Sequence, residues 1–280
     1  MEIKEAEEWP DLIDIVSRIV KPERLRQKDK QGKQYWWRFL RPRVNLYETI
    51  KPLKRCLVTA AVSKHCMMSF QPTWRVFANT LYVFALTEYA HFALLQSRVH
   101  EFWAWLLSST MRNAGIRYTA SDCFETFPFP PKELLGGDGE VEAGGKELYE
   151  SRAAYMVGTQ QGLTDTDNKL KGPDCHDAPI VMLRQQHEAI DKAVLAAYGW
   201  GDIEVPPYLT PVDHNGEPTP SAAKALQAFK DEVIDRLMAL NAERAAAEAP
   251  KPKKTTRKKT SKKPSSRKTP NKSDEQTTLL

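Results

Sequence analysis

Missing from this sequence of 280 residues are most of the short signatures from which an activity is read. No stretch approaches the roughly eighteen uninterrupted apolar residues of a membrane span. The opening residues, MEIKEAEEWPDL, are acidic and contain no apolar leader, so a soluble chain in the cytoplasm is expected. Four cysteines, Cys56, Cys66, Cys123 and Cys175, are scattered without a CxxC pair. That usage suits reduced thiols and offers no zinc spacing. Glycine clusters only as GGDG and AGGK within 134–146, with no strand ahead of either, which excludes a Gly-rich dinucleotide or S-adenosylmethionine turn. A GxxxxGK[ST] phosphate loop is absent. HEFWA at 100–104 starts like a zinc-protease helix but places Ala104 where the second histidine must stand.

Other lures fail on chemistry. Val205-Pro206-Pro207-Tyr208 lacks the Asn, Asp or Ser that amino-methyltransferases set before Pro-Pro-aromatic to hydrogen-bond the target amine, and it reads as a proline-rich turn. Asp174, Cys175, His176 and Asp177 have no second cluster at ligand spacing, so no metal is expected there. His91 and His100 sit in an apolar segment and read as packed residues. Without a self-contained active site, this chain is expected to hold no cofactor and to be inactive alone.

What is present is charge, unevenly placed. Residues 21–75 hold 14 Lys/Arg against 3 Asp/Glu, a balance of +11, whereas 76–250 balance at −11. Residues 251–280 hold 11 Lys/Arg against 2 Asp/Glu. Two basic blocks on an otherwise acidic chain point to a polyanion partner, and to nucleic acid first.

Periodicity gives a mixed α+β chain. A helix over 10–30 is expected to break near Pro22. Strands are expected at 56–63 and 79–86, with a turn around Pro72 between them. One helix from Thr87, as its N-cap, to about Ser108 follows. CFETFPFPP at 123–131 reads as an extended strap pinned by aromatics. The chain divides into a strand-and-helix domain at 1–132, a glycine-rich linker at 133–147, a helical domain at 148–248 and a disordered Lys-rich tail at 249–280. In the helical domain the spacing predicts helices over 147–157, 178–198 and 219–247. The second carries Ile180, Leu183, His187, Ile190, Val194 and Leu195 on one stripe and ends at a glycine cap, Gly199 or Gly201.

Several strings occur in a fixed order: VKPER (20–24), YWWRF (35–39), LVTAAVSKH (57–65), SRVHEFWAW (97–105), RYTASDCFETFPFP (117–130), GLTDTDNKL (162–170) and LRQQHEAIDKAVLAAYGWGDI (183–203). Together they resemble the C-terminal part of MmeI-like adenine-specific DNA methyltransferases, type IIL restriction–modification enzymes, over about residues 10–205. The resemblance implies the later half of a target-recognition domain followed by a C-terminal helical domain. The family's S-adenosylmethionine and NPPY-type motifs lie further N-terminal and have no counterpart here, so no catalytic role is carried onto any residue. The implied function is the specificity portion of an adenine-N6 methyltransferase in a bacterial restriction–modification or phage-defence system. Its partners would be double-stranded DNA and a methyltransferase core that binds S-adenosylmethionine, on another chain or on a missing N-terminal part.

Such a portion needs cations on phosphates and a few polar side chains on base edges. Arg24, Arg26, Lys28, Lys33, Arg38, Arg41, Arg43, Lys54 and Arg55 supply the first set, or else coat a solvated face. The Ser63-Lys64-His65 turn and Arg75 are candidates for approach to the duplex. Trp36, Trp37 and Phe39 read as packing anchors rather than base-stacking platforms. The alternative function is a protein-interaction module whose helical half docks a partner subunit, with DNA contact incidental.

Overall fold

The computed structural model describes residues 2–111, 115–135, 139–213 and 217–248. The Lys-rich tail expected to be disordered lies outside the described residues. The architecture is α+β, with helices dominating and two small antiparallel sheets.

The N-terminal stretch is a run of helices, α1 (Ile3–Glu7), α2 (Pro10–Arg26), α3 (Lys30–Gln34) and α4 (Val44–Ile50). Pro22 lies inside α2 without breaking it. The helix buries no residue, so the carbonyl that proline leaves without a donor can be served by water. Strands β1 (Arg55–Ala60), β2 (Val62–Ser63), β3 (Ser69–Pro72) and β4 (Leu81–Phe84) follow. The first sheet has the order β3-β1-β4, which sets Leu57 opposite both Phe70 and Phe84. Alternation then puts Leu57 into the main core, while Cys56 and Val58 join Ile50 of α4 in a smaller cluster. Residues 69–72, just ahead of the expected turn, are thus a paired strand, and Pro72 closes it at an edge where a missing N–H is tolerated.

The single helix expected over 87–108 is two: α5 (Tyr89–Gln96) and α6 (Arg98–Leu107), parted by Ser97 in an extended conformation. The break has a tertiary cause. The first N–H of α6, from Arg98, donates to Asp191 Oδ1 at 2.8 Å, so a carboxylate far along the chain acts as the cap. The N-terminus of α5 follows the same plan. Thr87 does not cap it; instead the Ala90 N–H donates to the Glu142 carboxylate at 2.5 Å.

Strands β5 (Ser109–Met111) and β6 (Gly115–Arg117) form the second sheet with β2, and a π-helical turn spans Ala120–Phe124. Phe124, Phe127 and Phe129 pack edge to face beyond it, holding the strap to the core as its aromatics suggest. Helices α7 (Lys132–Leu135), α8 (Glu140–Thr159), α9 (Leu163–Lys171), α10 (Ala178–Ala197) and α11 (Pro220–Glu248) complete the fold. The expected linker is largely helical, because α8 starts at Glu140. Its Gly145 lies where a Cβ would sit 2.3 Å from the Tyr89 carbonyl oxygen, so glycine here permits close helix packing rather than chain flexibility. Every residue of the predicted α10 stripe is buried, and Gly199 takes the left-handed cap with φ of +77°. One core cluster runs from Leu57 to Leu237.

Candidate nucleic-acid interface

The basic block divides by what each cation touches. Arg26, Lys28, Lys33, Arg41, Arg43 and Lys54 are exposed, and their side chains make no hydrogen bond or ion pair among the described residues. Lys51, which sequence reading passed over, is placed in the same way beside Leu53 and Lys54. Arg43, the residue ahead of α4, holds a left-handed φ of +52°, a conformation that costs a non-glycine residue about 1–2 kcal/mol. These side chains stand on the N-terminal helices and on the turns that lead from them to β1, none of which enters the main core.

Arg24, Arg38, Tyr35, Gln31 and Phe39 line a cleft of about 200 Å³. The Arg38 Nη2 donates to Glu2 at 2.6 Å, and its guanidinium lies 4.7 Å from the Tyr35 ring centre. Trp36 and Trp37 pack edge to face at 5.8 Å, and Lys21 sits 4.6 Å over Trp36. Trp36 and Trp37 are half-buried and packed as expected, though on each other and on Tyr35 rather than in a core cluster, whereas Phe39 is 70% exposed and departs from the expectation of a packing anchor.

Two expected contact residues are committed inward. The Arg55 guanidinium is sandwiched 3.9 Å from the Phe70 ring centre and 4.1 Å from that of Tyr89, with Nε donating to the Thr87 carbonyl at 2.8 Å. Its planar cation serves the sheet-to-α5 junction, not a phosphate. His65 is buried, with Nδ1 3.3 Å from the Asp167 carboxylate and Nε2 2.9 Å from Asn168 Oδ1. The neighbouring Lys64 ammonium donates to that same Asn168 oxygen at 2.7 Å. The backbone N–H of His65 reaches Ser63 Oγ at 3.4 Å. The Ser63-Lys64-His65 turn is therefore tied to α9, with only Lys64 exposed. Arg75 remains exposed on the loop after β3, its Nη1 donating to Gln71 Oε1 at 2.7 Å.

The core holds a set of buried ionic contacts without a sequence signature. Arg98 donates from Nε to Asp191 at 2.6 Å and from its other nitrogens to the carbonyls of Pro206 and Pro207. The Pro-Pro-Tyr turn is thus a strap fastened from within. Arg152 clamps the chain after His65, donating to the Met68 carbonyl at 2.7 Å and to Gln96 Oε1 at 3.1 Å. Arg184 donates to four carbonyls at the end of α9, those of Lys169, Leu170, Gly172 and Cys175. Lys171 bonds Glu101 at 2.5 Å. Burial penalises its ammonium, but Glu101 and Asp167 outweigh that and hold its pKa above the usual lysine value. Burial raises the Asp167 carboxyl, against the opposing pull of Lys171 and His65. His100 is fully buried between the Leu95 carbonyl and the Tyr118 hydroxyl, and burial lowers its pKa to about 4. It is a packed, neutral residue.

The cluster at Asp174–Asp177 lines a shallow surface depression, and no group of His, Cys, Asp and Glu suited to a metal ion occurs among the described residues. All four cysteines are free thiols, and burial raises the pKa of Cys56, Cys66 and Cys123. No described helix is long and apolar enough to cross a membrane.

Among solved structures, the chain is similar to the type IIL restriction-modification enzyme MmeI, whose structure was determined in complex with DNA. The superposition has a TM-score of 0.50 at 19% sequence identity, covering 85% of this chain and 28% of that one. At that identity the likeness establishes the fold, and the chain spans little more than a quarter of the enzyme's length. No protein-family model matches the chain, and no curated protein sequence does.

Proposed function

We propose that this chain is the DNA-recognition portion of a site-specific adenine-N6 methyltransferase from a bacterial restriction–modification or phage-defence system, acting in the cytoplasm. The observation that carries the reading is the set of exposed, unpartnered cations at Arg26, Lys28, Lys33, Arg41, Arg43 and Lys54. In the same molecule Arg55, Arg98, Arg152 and Arg184 are consumed by internal acceptors. A fold that spends some arginines inside and leaves a clustered group free presents a surface for polyanions. The fold's likeness to a restriction-modification enzyme solved on DNA supports the duplex as that polyanion.

In this reading the free cations, with Arg24 and Arg38 of the cleft, contact the phosphate backbone, and Arg75 and the exposed Lys64 of the Ser63-Lys64-His65 turn approach the bases. Methyl transfer requires S-adenosylmethionine and an adenine flipped out of the stack, both held by a methyltransferase core on a partner chain or further sequence. Titrating the full chain with duplex DNA between about 50 and 200 mM salt tests the reading. A steep loss of affinity is expected, its logarithmic slope falling by about 0.9 for each phosphate contact removed in Arg41→Glu, Arg43→Glu and Lys54→Glu. Binding indifferent to salt and to these reversals would sink it.

One observation favours a second reading, an interaction module. Helix α2 leaves Leu12, Ile15 and Ile19 exposed along one stripe, in the N-terminal segment rather than in the helical half. Salt-insensitive association with a methyltransferase core, abolished by Ile15→Glu, supports that reading; retention of association in that variant removes it.

A further inference from the structure

The loop joining β3 to β4 carries the most exposed tryptophan among the described residues. Trp74 is 79% exposed and Val76 is 68% exposed, with Arg75 between them. Exposing an indole this far forfeits burial that a Trp elsewhere in the chain, Trp103, takes almost completely. The loop is not slack. At its start the Thr73 hydroxyl donates to the Leu53 carbonyl at 2.6 Å, and at its far side the Phe77 N–H donates to the Tyr47 hydroxyl at 3.1 Å. Phe77 then packs on the small core cluster of Ile50, Cys56 and Val58. Both anchors lie in the basic segment: Leu53 stands beside Lys54, and Tyr47 belongs to the helix that Arg43 precedes. The loop tip therefore lies beside the segment that carries Arg43, Lys51 and Lys54.

Arg75 is oriented within this frame. Gln71 Nε2 donates to Ser69 Oγ at 3.3 Å, and Gln71 Oε1 accepts from Arg75 Nη1 at 2.7 Å. The guanidinium lies 5.4 Å from the Trp74 ring centre. Its Nε and Nη2 donors have no acceptor among the described residues. A guanidinium held at one nitrogen, with a free pair of donors, is prepared for a planar two-acceptor partner.

We propose that the Trp74-Arg75 tip is the base-contacting element of the duplex interface: Trp74 packs on base edges in the major groove while Arg75 donates to O6 and N7 of an adjacent guanine in the same groove. This rests on the proposed DNA-recognition function and names the residues that read sequence within it. An apolar contact beside a bidentate arginine joins methyl-group readout to hydrogen-bond readout in one groove. The phosphate cations behind it supply register only.

The test is selection by the full chain from a randomised duplex library at low salt, with wild type, Trp74→Ala, Trp74→Phe and Arg75→Ala compared. The wild type is expected to enrich a motif containing a fixed guanine, and Arg75→Ala to lose that preference. Trp74→Ala should weaken binding to the selected site by about tenfold, a typical worth for one base–aromatic contact, with the salt slope unchanged. Trp74→Phe should keep most of the affinity. Since both side chains are exposed, thermal midpoints should match wild type, which separates lost contact from lost fold. An identical motif and affinity in Trp74→Ala and Arg75→Ala overturns the proposal. Salt-dependent binding without any enriched motif also overturns it, while leaving the phosphate-binding reading standing. Failure of the wild-type chain to bind any duplex overturns both.

Discussion

The arginines of the N-terminal segment and those of the helical core carry the same charge and lead opposite lives. Arg98, Arg152 and Arg184 are buried, and each bonds several acceptors contributed by distant turns or helix ends. Arg26, Arg41 and Arg43 stand in solvent with no internal acceptor. A guanidinium buried with its donors satisfied is a structural staple, and removing it strands its partners. One left free beside others of its kind stabilises little and is available to an external anion. The comparison teaches that a charge count along the sequence does not locate an interface; partnering does. Arg55 shows the point within the basic block itself, since its rings and carbonyl place it with the staples.

The comparison is broken most forcefully at Arg98→Ala. It leaves the Asp191 carboxylate, which is 0% exposed, without its cation, and should cost about 3–5 kcal/mol in urea unfolding. The expected signature is loss of fold with DNA affinity per folded molecule preserved. A smaller effect comes from acid. The unfolded chain protonates histidine near pH 6.5, whereas folded His100 resists until about 4. Between those values the unfolded state binds more protons, so stability is full above pH 6.5 and falls as pH drops towards 4. The His100 contribution is about 3 kcal/mol across that window, and His187, lowered by its own burial, acts in the same direction. Measuring unfolding free energy against pH in His100→Asn checks it, with a shallower acid slope expected.

Gly145→Ala sharpens the contrast between linker and packed helix. A methyl group aimed at the Tyr89 carbonyl should cost about 1–3 kcal/mol despite the gain in helix propensity. Gly144→Ala, which meets the Ile190 side chain at 3.3 Å, should be close to neutral. A flexible linker would tolerate both equally in thermal denaturation. The smallest stability effect belongs to the free cations: Arg26→Glu with Lys28→Glu should leave unfolding within about 0.5 kcal/mol of wild type. Their duplex affinity at low salt should drop all the same. Equal effects on stability and binding would erase the distinction between the two classes of arginine.

Legibility in the sequence followed the range of the interaction. The α10 stripe from Ile180 to Leu195 was readable because helix period and burial agree along one segment. Strand β1 was readable from its β-branched run, and the aromatic strap from Phe124 to Phe129 from its prolines. Helix α9 was missed because LTDTDNKLK is polar, although Thr166, Asp167 and Leu170 turn inward. Strand β3 was missed because SFQP is short and ends in proline, its pairing supplied by β1. At the candidate interface the basic block was visible as composition, but its division into free and locked cations was not. Trp74 escaped notice because nothing local separates an exposed tryptophan from a buried one.

By itself the sequence determined the α+β class, the helix stripe of α10 and the concentration of positive charge between residues 21 and 75, all properties of neighbouring residues. Tertiary structure alone decided where helices begin and which cations remain free. Helices α5 and α6 start where carboxylates from α8 and α10, at Glu142 and Asp191, meet their orphan N–H groups. No local propensity encodes that meeting. The physical reason is that a buried donor must find an acceptor wherever the fold supplies one, and only packing brings residues that far apart in the chain within hydrogen-bond reach.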